Sequence, residues 1–68
     1  MVPVLSPTAW ALLGLLHRSA HGGPAAPRGF EEENAELRRN GLAMKNALGE
    51  MQITGEGEAA LRKRFELD

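Results

Sequence analysis

Cysteine is absent from the chain. Neither a disulfide framework nor a thiolate metal site is therefore available, and a reducing, cytoplasmic setting is the expectation. Tyrosine is also absent, and the aromatics are limited to Trp10, Phe30 and Phe65. All three fall at core or near-core positions, so no stacking platform for single-stranded nucleic acid is expected. The only hydroxyls are Ser6, Thr8, Ser19 and Thr54. Two of them read as helix caps and none has a plausible base beside it, so no catalytic chemistry is expected. No glycine-rich phosphate loop follows a strand, and no cofactor is implied. A dominant charge is missing too: the net charge is −1, so nothing global draws the chain to nucleic acid or to a membrane. The apolar stretch from Met1 to Leu16 has no basic residue before it and is interrupted by Pro3 and Pro7. It reads as neither a signal peptide nor a membrane span, which needs roughly 20 apolar residues.

What is present suffices for one small domain over residues 1–68. A chain of this size buries only roughly 60% of its unfolded surface and is marginal in stability. Its charge is distributed unevenly. Residues 1–29 carry Arg18 and Arg28 and no acid, whereas residues 30–40 carry four glutamates against two arginines. No internal repeat is visible.

Residues 1–5 read as an extended arm, because Pro3 rules out much strand pairing. Ser6-Pro7 is a helix start, with serine as N-cap and proline in the first turn. The helix is predicted over 6–19, with Ala9, Leu12, Leu13, Leu16 and Ala20 on its inner face. Trp10 and His17 flank that face. Leu15 lies off it beside the small Ala11 and Gly14, either as a contact for another chain or as a lone surface leucine. Residues 20–29, AHGGPAAPRG, form a Gly/Pro loop. A second helix is predicted over 30–40, with Phe30 and Leu37 as anchors and Asn34 and Gly41 on the same side. Glu31, Glu32 and Glu33 suit its positive end, and Arg38 and Arg39 its negative end.

Asn40-Gly41 stops that helix, since both residues tolerate a left-handed backbone. A β-hairpin is predicted over 42–53. Leu42 and Met44 are expected on its inner side with Lys45 opposite, then Asn46 to Gly49 as the turn, then Met51 and Ile53 inward. Thr54 caps a third helix over 55–66, whose inward stripe draws on Gly57 or Glu58, Leu61 and Phe65. His17 and His21 are four apart and can share one side of a helix, a spacing that suits a metal. Gly22-Gly23 frays that end and no third ligand is nearby, so no metal site is expected; His21 reads as a helix-end cap.

The fold class is therefore α+β and mostly helical, with three helices and a short hairpin. Leu5-Ser6-Pro7-Thr8-Ala9-Trp10-Ala11-Leu12-Leu13-Gly14-Leu15-Leu16, followed by His21-Gly22, resembles the first helix of winged helix-turn-helix regulators of the PadR and MarR kind. Leu37-Arg38-Arg39-Asn40-Gly41-Leu42 is similar to the end of their recognition helix turning into the wing. Gln52-Ile53-Thr54-Gly55-Glu56-Gly57-Glu58-Ala59-Ala60-Leu61 resembles the signature after the wing, with Gly55 where proline is usual and Glu58 where arginine is usual. Residues 20–29 leave little room for the helix that normally precedes the recognition helix. The chain thus resembles an abbreviated winged helix of the kind found in short phage and mobile-element proteins.

That resemblance implies a non-enzymatic DNA-binding or transcription-regulating module, acting as a homodimer. The recognition helix would enter the major groove and the wing would touch phosphates. Arg28, Arg38, Arg39, Lys45 and Asn46 are the candidate nucleic-acid contacts. The glutamates at the leading end of the helix repel a phosphate backbone. A second expectation follows: Leu15, Glu31, Glu32 and Glu33 as a surface for a basic host protein. A third is a small structural subunit whose Gly/Pro loop is ordered by a larger assembly. No membrane partner is expected.

Overall fold

Hydrogen bonds at the helix ends account for most of the chain's architecture. The computed structural model describes residues 4–66, the last two by their helical backbone only. Residues 1–3 of the predicted arm and the Phe65 side chain, assigned to an inward stripe, lie outside the described residues. Helix α1 spans Pro7–Ala20. Ser6 Oγ accepts from the Ala9 amide at 3.2 Å, so the predicted cap forms, with Pro7 opening the helix. The helix closes where Gly22 takes φ +89° and the Gly23 amide reaches back to the Arg18 carbonyl at 2.7 Å. This long backward bond across a left-handed glycine is a Schellman-type stop. Residues 21–29 follow without regular secondary structure.

Helix α2, Glu31–Arg39, closes in the same way and more completely. Gly41 adopts φ +72° and donates to the Arg38 carbonyl at 3.0 Å. Leu42 then donates to the Leu37 carbonyl at 2.9 Å. Leu37 and Leu42 are both buried in the common core, the apolar pairing that accompanies this motif.

Strands β1 (Ala43–Lys45) and β2 (Met51–Ile53) pair antiparallel, with Ala43 opposite Ile53 and Lys45 opposite Met51. Asn46 holds the turn: its Oδ1 accepts from the Leu48 amide at 2.9 Å and the Glu50 amide at 3.0 Å. Helix α3 spans Gly55–Glu66. Thr54 Oγ1 accepts from the Gly57 amide at 3.1 Å and donates to the Gly41 carbonyl at 2.7 Å. One side chain therefore caps α3 and ties the base of the hairpin to the end of α2.

The architecture is α+β, mostly helical, in a minimal winged-helix-like layout. Helix α1 is its centre and packs against α2, β2 and α3. The core draws Ala9, Leu12, Leu13 and Leu16 from α1, Leu37 from α2, Leu42 and Ala43 from the hairpin base, and Ala60 and Leu61 from α3. Among the described residues no helix is long and apolar enough to cross a membrane.

Three sequence expectations are corrected. Met44 is 58% exposed rather than inward. Leu42 belongs to the cap of α2, so the two-residue alternation starts one position later, at Ala43; Met44 then faces outward opposite Gln52, and Lys45 shares the side of Met51. Phe30 is 37% exposed and does not anchor α2. It occupies the N-cap position with φ −97° and ψ 58°, outside the helical phase that would have turned it inward. Ala20, placed on the inner face of α1, is exposed at the last helical position.

With Phe30 outside, another contact holds α2. The Glu36 carboxylate accepts from the Ser6 amide at 2.8 Å and from Ser6 Oγ at 3.0 Å. A carboxylate at the start of α1 also suits the positive end of that helix. Glu36→Ala is expected to cost about 1.5–3 kcal/mol, the value of hydrogen bonds to a charged group. The readout is a lower urea midpoint at unchanged slope. An unchanged midpoint would mean that the bidentate contact contributes nothing to stability.

Candidate functional site

The surface beside the hairpin is built by α2, the turn and the irregular segment. Leu37 is the one buried residue of α2, so most of the helix circumference faces outward. Arg38 and Arg39 sit exposed in its last turn. Neither forms an ion pair among the described residues; the ion pairs found there involve only His17, His21 and Glu58. Asn40 is committed locally, its Nδ2 donating to the Glu36 carbonyl at 2.8 Å.

The five candidate nucleic-acid contacts fall into two groups. Arg28, Lys45 and Asn46 line one cleft between the irregular segment, the start of α2 and the hairpin, and Glu31, Leu48 and Glu50 line it with them. The cations of this cleft are thus balanced by carboxylates. The Asn46 amide oxygen is already engaged by two turn amides. Arg38 and Arg39 form the second group, about 12 Å along α2 from Glu31 at a rise of 1.5 Å per residue.

The candidate protein-contact residues also separate. Glu31 and Glu32 are exposed and Glu33 is half-buried at the first turn of α2. Leu15 is half-buried, not exposed, and lines a different cleft from Glu31. It lines a groove between α1 and α3 with Trp10, Gly14 and Leu61. The Arg64 guanidinium stacks over the Trp10 ring, 4.7 Å from its centre. The exposed apolar residues of the hairpin are ones the sequence reading did not single out as a surface: Leu48 at the turn, 83% exposed, and Met44.

The far end of the α1–α3 groove holds a cluster that sequence spacing showed only in part. His21 Nε2 donates to Glu58 Oε1 at 2.8 Å. His17 Nδ1 lies 3.4 Å from the same oxygen, near enough for an ion pair but without hydrogen-bond alignment, so this buried nitrogen has no hydrogen-bond partner. The two imidazole rings stand 4.4 Å apart. The hydrogen bond from His21 holds the Glu58 carboxyl below the usual carboxylate range. Partial desolvation opposes this, and the charges of His21 and then His17 add to it. The expectation that no third ligand accompanies the histidine pair is therefore corrected. Glu58 reaches it from 37 positions on, through the packing of α3 on α1. Local spacing carries no signal for that meeting. His21 does cap α1, through its backbone amide to the His17 and Arg18 carbonyls.

No family model, curated protein or solved structure matches the chain. The likeness to winged helices accordingly rests on the order of elements and on the cap residues that make them.

Proposed function

We propose that the chain is a non-catalytic DNA-binding module of transcription control, working as a homodimer. The carrying observation is the pair Arg38 and Arg39, exposed and without ion-pair partners among the described residues, on the helix that leads directly into the hairpin. Cations free of internal partners are what phosphate contact requires. Lys45 and Arg28 stand beside the hairpin but share their cleft with Glu31 and Glu50, so Arg38 and Arg39 supply the unbalanced charge, which two copies of the chain double. Base reading would fall to the outward side of α2, where Ala35 and Arg38 are exposed.

The test is a mobility shift on duplex DNA across a salt series, with light scattering for the dimer. Binding is expected to weaken steeply with salt. Each phosphate contact adds roughly 0.9 to the slope of log affinity against log salt. The Arg38→Ala/Arg39→Ala variant should therefore lower that slope by about 2 per chain and weaken binding to all sequences. An absence of binding at low salt removes the proposal.

A second reading is favoured by one observation: Glu31 and the strongly exposed Leu48 line the same cleft. An apolar tip beside carboxylates suits a basic protein surface better than a phosphate backbone. Pull-down with Glu31, Glu32 and Glu33 reversed to lysine separates the two readings, because reversal strengthens DNA contact and abolishes contact with a basic protein.

A further inference from the structure

We infer that His17, His21 and Glu58 form a binding site for a divalent transition-metal ion of the zinc type, clamping the end of α1 to the first turns of α3. The inference concerns the α1–α3 end of the molecule and is independent of whether α2 contacts DNA.

Each of the three side chains offers one ligand atom, and these atoms all lie within 4.8 Å of one another. In a tetrahedral zinc site, metal–ligand bonds of about 2.0–2.2 Å place neighbouring ligand atoms about 3.3–3.5 Å apart. The His17–Glu58 separation of 3.4 Å already meets that spacing. The His21–Glu58 pair, at 2.8 Å, is held closer by the proton between them. Replacing that proton with a metal ion opens the pair by about half an ångström, to the spacing of two ligands. The His17 and His21 ligand atoms, within 4.8 Å of each other, must draw together to the same spacing. The His21 side chain is 60% exposed and that of Glu58 35%, so both have room to rotate about their own bonds.

The donor chemistry selects the ion. Two imidazoles and one carboxylate suit zinc, copper, nickel or cobalt; magnesium and calcium prefer all-oxygen sets. Three protein ligands leave a fourth position for water. The unpartnered His17 Nδ1 is the second observation. A buried imidazole nitrogen left without a partner costs free energy, and a metal bond would satisfy it.

The placement gives the ion a mechanical effect. His17 and His21 stand one turn apart at the end of α1, where Gly22 and Gly23 begin the irregular segment. Glu58 stands in the first turns of α3. A metal bond across them closes the loop from α1 to α3 in a domain with little core to spare.

The test uses the full chain, stripped with EDTA and then titrated with Zn²⁺ or Co²⁺ at neutral pH. One ion per chain is expected to bind. Co²⁺ should give the intense visible absorption of a four-coordinate nitrogen–oxygen site, and Zn²⁺ should displace it. Saturating Zn²⁺ should raise the melting temperature by about 10 °C, reversibly with EDTA. His17→Gln, His21→Gln and Glu58→Gln should each weaken Zn²⁺ binding at least about tenfold. Glu56→Gln, on the same helix and outside the cluster, should leave it unchanged. Because the Co²⁺ spectrum is read on the unaltered chain, a variant that fails to fold does not decide the outcome. Absence of a four-coordinate Co²⁺ spectrum overturns the inference. So does Zn²⁺ binding that survives all three substitutions.

Discussion

Gly57→Ala is expected to destabilise the domain by about 2 kcal/mol, although the same change inside a helix ordinarily stabilises by up to about 1 kcal/mol. Gly57 is buried in the first turns of α3, which sit directly on the hairpin base. A Cβ there would collide with the Leu42 carbonyl oxygen and stand 2.7 Å from Ile53 Cγ1. The Leu42 oxygen cannot retreat, because it accepts the Thr54 amide at 3.0 Å while the Leu42 amide is held by Leu37. Ile53 packs against the core and has little room. The clash must be relieved by lifting α3, which exposes Ala60 and Leu61. Gly14→Ala is the matched control, since a Cβ at Gly14 meets nothing within 4 Å. It should raise stability by about 0.5–1 kcal/mol. Urea denaturation of both variants checks the pair, and a Gly57→Ala protein that gains stability as Gly14→Ala does would refute the close approach.

Leu37→Ala is expected to remove a large share of the domain's stability and to raise the unfolded fraction at 37 °C. Truncating a fully buried leucine costs about 2–5 kcal/mol, and a chain of this length holds only about 3–10 kcal/mol in total. Leu37 is 0% exposed and is the whole apolar contribution of α2 to the core. Nine residues do not sustain a helix in water without packing. Its loss also breaks the apolar pair with Leu42 that seals the end of α2. Far-UV circular dichroism should show the loss of helix directly. Leu37→Met, which preserves volume, should cost under about 1.5 kcal/mol and retain the helical signal. Equal loss in both variants would point to a requirement other than filled space.

The parts of this fold legible in the sequence are those enforced by neighbours along the chain. Ser6-Pro7, Asn40-Gly41, Asn46 to Gly49 and Thr54 each act within five residues, through a cap, a stop or a turn. They placed the three helices and the hairpin close to their observed positions. The misassigned side chains lie where two local rules meet. Leu42 is both the last cap residue of α2 and the first apolar residue before β1, and the cap takes precedence, which shifts the phase and turns Met44 outward. Phe30 stands one residue before α2 and so misses its stripe. The remaining gaps need tertiary structure. Glu36 meets Ser6 across 30 positions, and Glu58 meets His21 across 37. Local pattern holds no trace of either contact. The His17–His21 spacing alone suggested half of a cluster whose other half is a carboxylate at a position where the winged-helix resemblance leads one to expect arginine. Of the candidate contacts, the separation of Arg38 and Arg39 from Arg28 and Lys45 was likewise invisible, because it depends on how the irregular segment folds back against the hairpin.

The charges of α2 have an orientational consequence. Glu31, Glu32 and Glu33 stand at one end and Arg38 and Arg39 at the other, so the side chains form an electric dipole opposed to that of the peptide groups. In the non-uniform field of a polyanion, such a rod is turned before it is drawn in. The torque swings the arginine end toward the anion and the glutamate end away. The charges of α2 therefore favour meeting an acidic polymer by its carboxyl end, beside the hairpin base, with the amino end turned away.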